Sequence, residues 1–128
     1  MNTIALVTVA AGGAGAVLRY LVSLWLARPR VEPGARFPWT VLVVNAVGSA
    51  LGGAVLALAD HGLSEQAQLV LLSGVCGGLT TFSTFSVETV QLVREGQAGR
   101  ACVSVCANVL VGFAACALTF AAFGGSLG

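Results

Sequence analysis

Four long apolar runs separated by short polar stretches set the plan of this chain. They extend from about Ile4 to Leu26, Trp39 to Ala59, Ala67 to Val93 and Ala101 to Phe123. Each reaches the roughly 20 residues that a helix needs to cross a bilayer core. The pattern predicts an all-α membrane protein, a single transmembrane domain over residues 1–128 with helices at about 4–26, 39–59, 67–93 and 101–123. The first run is long enough to span and has no charged leader segment before it, so it is expected to remain as a helix rather than act as a cleaved signal.

The third run departs from the others in its middle. From Gly77 to Phe85 it reads Gly-Gly-Leu-Thr-Thr-Phe-Ser-Thr-Phe, with four hydroxyls, two phenylalanines and a glycine pair inside an apolar segment. Glycine lowers helix propensity, and Ser and Thr offer the backbone competing hydrogen bonds. The expectation is a helix broken at mid-membrane, near 77–81. Irregular backbone at that depth survives only where protein or a water-filled cavity surrounds it, so such a break marks a binding or permeation site.

Composition agrees with the bilayer assignment: 57% of the 128 residues are hydrophobic and 9% charged, with a mean hydropathy of +0.94. A net charge of +1 and the absence of lysine leave no basic patch for nucleic acid. Cys76, Cys102, Cys106 and Cys116 lie within apolar runs without zinc-like spacing and read as small packing residues. The histidine, His61, falls in a short turn with Asp60 and Glu65, a solvated connection rather than a metal site. No nucleophile, histidine and acid can be gathered from it, so the chain is not expected to be an enzyme.

Few polar residues lie inside the spans, and each has two readings. Arg19 sits about two turns before the end of the first run. It is either structural, snorkelling to the interface or pairing inside the protein, or a direct anion ligand, which a bare guanidinium in a pore would make too tight to release. The small residues before it, Gly12 to Ala16, suit close helix packing. Asn45 shares its helical face with Gly48, Ser49 and Gly52; it either glues helices together or donates its amide N–H to an anion crossing the bundle. Phe82 and Phe85 fall on one face if the helix resumes after Thr81, where they either fill space or hold a small anion weakly through their electropositive ring edges. Glu88 continues that face, as a vestibule group or a proton carrier. In the fourth run Ser104, Asn108, Gly112, Ala115 and Thr119 form one stripe, a track for an ion or a seam against a neighbour.

The nonamer from Gly77 to Phe85, together with Gly-Gly-Ala-Gly-Ala-Val-Leu-Arg-Tyr at Gly12 to Tyr20 and Val-Asn-Ala-Val-Gly-Ser at Val44 to Ser49, resembles the Fluc (CrcB) family of bacterial fluoride channels. The resemblance covers the whole chain in length, span number and motif order. It implies a passive fluoride-selective channel in the bacterial cell membrane, exporting fluoride from the cytoplasm through two pores in an antiparallel dimer. It further implies a central structural sodium ion held by the backbone carbonyls of Gly77 and Thr80. The fluoride pathway it implies runs along Asn45, Phe82, Ser83, Thr84, Phe85, Glu88 and Asn108, with Arg19 and Gly48 structural. The family's fourth-helix track commonly reads Tyr, Ser, Gly where this chain has Ser104, Asn108 and Gly112. A second departure is charge. Arg28, Arg30, Arg36, Arg94 and Arg100 flank the first and third connections, and no arginine flanks the second or the termini. That bias favours one orientation, so the partner is either an identical subunit or an inverted homologue.

Two other classes stay open on residues alone. One is a proton-coupled exporter of small solutes with Glu88 as the carrier; it would respond strictly to a proton gradient. The other is a non-transporting assembly subunit, which would carry no ion flux.

Overall fold

The computed structural model of the protein describes residues 2–26 and 37–126. Helix α1 (Thr3–Leu26) and α2 (Trp39–Asp60) are followed by a composite third span. It begins with α3 (Glu65–Leu69), passes through seven residues of wider, π-helical turns (Val70–Cys76) and a short α4 (Gly77–Leu79), and resumes after an interruption as α5 (Phe82–Arg94). Helix α6 (Ala98–Ala122) completes the chain. Among the described residues there is no β-strand, and four spans are long and apolar enough to cross a membrane: Thr3–Leu26, Trp39–Asp60, Glu65–Arg94 and Ala98–Ala122. The first connection, 27–36, lies outside the described residues, and Arg28, Arg30 and Arg36 with it.

The interruption falls within the expected 77–81 but is narrower and leaves out the glycine pair. Gly77 has helical φ and ψ of −63° and −37°, and the helix continues to Leu79. The chain leaves helical geometry at Thr80 (φ −76°, ψ 158°) and Thr81 (φ −147°, ψ 117°), both β-branched residues comfortable in extended backbone. Gly78 serves packing instead, while Gly77 is exposed. A Cβ on Gly78 would collide with the Gly12 carbonyl of α1, and one on Gly15 would lie 2.6 Å from the Val75 carbonyl. Backbone therefore meets backbone where α1 crosses the third span, the close approach that small residues permit in lipid.

The π-helical stretch was not foreseen from the sequence. Its last turn runs on into Gly77, whose N–H reaches back five residues to the Leu72 carbonyl. Such turns recur at functional sites, and here they lead directly to the interruption.

Helix α2 packs most extensively on α6. A Cβ at Gly53 would strike the Cys116 carbonyl, and the Thr119 hydroxyl donates to the Ala50 carbonyl at 2.7 Å. Ser104 and Gly112 are buried and Asn108, Ala115 and Thr119 half-buried, whereas Cys102 and Cys106 face outward. The polar stripe of α6 is thus the seam against α2. At one end of the bundle, His61 donates through Nε2 to the Gly124 carbonyl (3.2 Å), and Asp60 Oδ2 accepts from the Ser126 amide (3.3 Å). The second connection and the C-terminal turn therefore share one end.

Gly78→Ala should lower the free energy of unfolding by about 1–3 kcal/mol, because the new methyl meets backbone that cannot rotate away. Gly99→Ala, where a Cβ meets nothing within 4 Å, should shift it by no more than about 1 kcal/mol and in the stabilising direction. Denaturation of both variants in detergent checks the contrast.

Candidate functional site

The interruption leaves backbone groups without helical partners, and side chains from α1 and α2 take them up. An unbroken helix would direct the Thr81 N–H to the Gly77 carbonyl; instead it donates to Asn45 Oδ1 at 3.0 Å. With its oxygen committed, Asn45 turns its Nδ2 toward α6 and donates to Asn108 Oδ1 at 3.0 Å. Asn108 Nδ2 in turn donates to the Ser104 carbonyl at 2.9 Å. The two amides form a directed relay from the interruption into the α2–α6 seam.

The carbonyl on the other side of the interruption is also claimed. Arg19 Nη1 donates to the Thr80 oxygen at 3.0 Å, so the guanidinium pairs inside the protein at the carbonyl end of the first half-span. A cation there complements the negative end of the helix dipole. Gly48 supplies the room: its ideal Cβ position is occupied by the Thr80 methyl.

Thr81 then starts α5. Its hydroxyl accepts from the Thr84 N–H at 3.1 Å, the usual cap of a helix N-terminus. It also donates to the Thr84 hydroxyl at 3.0 Å and lies 3.3 Å from Ser83 Oγ. Thr81 is 7% exposed, while Ser83 and Thr84 are exposed. Three hydroxyls thus cluster at the positive end of α5, an environment that favours an anion.

Phe82 and Phe85 do share a face of α5, with ring centroids 6.0 Å apart and planes tilted by 40°. They are not part of the amide relay. Phe82 is 80% exposed and points away from the bundle, and Phe85 is half-buried. Glu88, one turn beyond Thr84, enters a cavity of about 350 Å³ lined also by Arg19, Tyr20, Thr40, Thr81 and Thr84. Its Oε2 is buried without a hydrogen-bond partner. Ser104 Oγ, on a residue 1% exposed, is likewise without one.

The residues named from the sequence therefore fall into three groups. Asn45 and Asn108 are bonded to each other, and Thr84 and Glu88 share the cavity with Arg19. Of the phenylalanine pair, Phe82 faces outward and Phe85 is half-buried. Thr81 was missed. Its signal was present, a threonine just before the expected resumption of the helix and followed three residues later by a second hydroxyl.

The chain matches the family described as "CrcB-like protein, Camphor Resistance (CrcB)" over residues 6–120, from α1 through almost all of α6. It belongs to that family. It is 42% identical over 122 residues to the fluoride-specific ion channel FluC of Gluconobacter oxydans, covering 91% of this chain and 81% of that protein. It is 44% identical over 106 residues to a protein of the same name from Thermus thermophilus, covering 81% of each. The corresponding Agrobacterium fabrum protein is 44% identical over 110 residues, covering 84% of this chain and 86% of that protein. As a CrcB-family chain with four spans, the protein is a multi-pass bacterial membrane protein and not an enzyme.

Removal of either amide exposes the rest of the relay. Asn45→Leu leaves the Thr81 N–H unsatisfied and should cost about 1–3 kcal/mol of stability. Asn108→Ala should cost less, and the double variant should show a coupling energy of about 0.5–3 kcal/mol. A double-mutant cycle in chemical denaturation reads this directly; additive losses would mean the two amides do not act as a unit.

Proposed function

We propose that this protein is a passive fluoride channel that lets the anion leave the cytoplasm. The observation that carries the reading is similarity over most of the chain to proteins named fluoride-specific ion channel, 42–44% identical to this chain over spans that include the whole interruption. The chemistry at the interruption supports it. Fluoride is strongly hydrated, and a path for it must replace water with donors that do not trap the ion. Thr81, Ser83 and Thr84 offer hydroxyls, Asn45 and Asn108 amide N–H groups, and Phe82 and Phe85 ring edges, all without formal charge. Arg19, the nearby cation, is tied to Thr80 rather than set among them. Glu88 stands at the cavity that would serve as the vestibule.

No coupled energy source is needed. Hydrogen fluoride crosses membranes as the neutral acid and dissociates inside. A negative-inside potential then drives the anion out with about 2.3 kcal/mol per 100 mV, roughly a fiftyfold concentration ratio.

The working unit is two opposed copies with one pathway each. In the single chain, Gly77, Phe82, Ser83 and Thr84 are exposed beside irregular backbone, and lipid cannot satisfy such a surface at mid-span. A second protein surface covering it resolves the difficulty. The same surface presents the Gly77 carbonyl, whose helical donor has gone to Asn45. The oxygen at Gly77 and that at Thr80 are the donor type that hard cations take, and they sit at the carbonyl end of a half-span, where membrane proteins hold sodium. Two oxygens per chain are too few alone, so a structural sodium ion would lie between the copies and supply fixed positive charge there.

The unpartnered Oε2 of Glu88 favours one second reading, a proton-coupled exporter. Electrical measurement separates the two: a channel carries fluoride at uniform pH and sets a potential, an exporter requires the proton gradient.

Liposomes containing the purified protein should release fluoride down its gradient when the potential is shunted, as read by a fluoride electrode. Phe82→Ile and Asn45→Asp should each lower that release at least tenfold with the dimer intact on size exclusion. Full flux in both variants would take the two residues out of the pathway. For subunit pairing, a tag at the C-terminus should be reached from one side of intact cells if Arg94, Arg100 and the arginines of the first connection fix the orientation; equal labelling from both sides would indicate an identical, inverted pair.

A further inference from the structure

Arg19 and the sodium ion proposed above have a claim on the same atom. Arg19 Nη1 donates to the Thr80 carbonyl at 3.0 Å, and that oxygen is one of the two each chain would offer to the ion. A carbonyl oxygen has two lone pairs, so both partners can be held together. They would then bring two positive charges within about 5 Å of each other, given ordinary hydrogen-bond and metal–oxygen lengths. Nothing in the immediate hydrogen bonding removes this repulsion, since the carbonyl is neutral. Glu88 lines the same cavity as Arg19 and offsets part of it.

We infer that Arg19 sets the sodium affinity of the interruption, sharing the Thr80 carbonyl with the ion and holding its binding weaker than the oxygens alone would give. The guanidinium keeps the carbonyl aimed and satisfied when sodium is absent, and it penalises the ion when sodium is present. At protein-like screening, a unit charge at that separation changes affinity by on the order of a hundredfold, and by at least tenfold once the half-open cavity is allowed for. Arg19 is thereby a positioning residue for an ion it does not touch, and the inference rests on the sodium reading.

The test is the sodium dependence of thermal unfolding in detergent, at constant ionic strength with choline as the replacement cation. A ligand that binds only the folded protein raises the melting temperature with its concentration. The wild type should show a rise with sodium that choline does not reproduce. In Arg19→Gln and Arg19→Met, both uncharged and both good helix formers, the sodium midpoint should fall at least tenfold; either variant suffices if the other fails to fold. A sodium-dependent rise in the wild type with the same or a higher midpoint in the folded variants overturns the role of Arg19 and leaves the sodium reading standing. A wild type that does not distinguish sodium from choline overturns the sodium reading, and the role of Arg19 with it.

Discussion

A backbone interrupted inside hydrocarbon must find partners for the groups its helix no longer pairs, and each group left unpaired costs several kcal/mol. Two bonds from neighbouring helices meet part of that demand here: Thr81 N–H to Asn45 and Arg19 to the Thr80 carbonyl. One comes from α2 and the other from α1, so both helices must stand close enough for their side chains to arrive. The glycines at 12, 15, 48 and 78 make those approaches possible. The arrangement of three of the four spans therefore follows from two residues of the third.

The same interruption separates charge. It ends one half-span on carbonyls and begins the next on N–H groups that no helical turn pairs, which places a negative and a positive dipole end at the same level of the bundle. The side chains at each end match it. A guanidinium stands at the carbonyls, and hydroxyls with electron-poor hydrogens stand at the N–H groups. A cation and an anion could occupy neighbouring places without meeting, which a continuous helix could not offer.

Much of the architecture was legible because the bilayer imposes length and polarity on each span. Helix limits read from hydropathy differ from the observed ones by three residues at most, where Ala101 was taken as the start of a helix that begins at Ala98. The third span defeated finer reading. Gly77 and Gly78 carry the sequence signal of a break, yet both are helical and Gly78 is the point of contact with α1, and a pattern of residue types does not tell backbone strain from backbone crowding. The role of Asn45 was legible only in half. Its place on a close-packed face showed that the amide is engaged, but which end meets which partner depends on where Thr81 lies, a tertiary fact. The α6 stripe was ambiguous between track and seam until Gly112 and Thr119 were seen against Ser49 and Ala50. The outward aim of Phe82 had no signal in a single chain, because aromatic residues suit lipid, protein and ion alike.

On the channel reading, the relay would let donors that are already paired still pass an ion. A neutral amide–amide bond in a protein is worth about 0.5–1.5 kcal/mol net, so the Asn45–Asn108 contact can be exchanged for another acceptor at a cost of roughly tenfold or less. An anion arriving beside Asn45 would take the N–H that Asn108 Oδ1 now accepts, while the Thr81 bond to Asn45 Oδ1 keeps the side chain in place. On departure the Asn108 oxygen returns to the same N–H. A fixed anchor on one end of the amide and an exchangeable partner on the other give a donor that is positioned yet weakly held, which is what rapid release of a strongly hydrated anion demands.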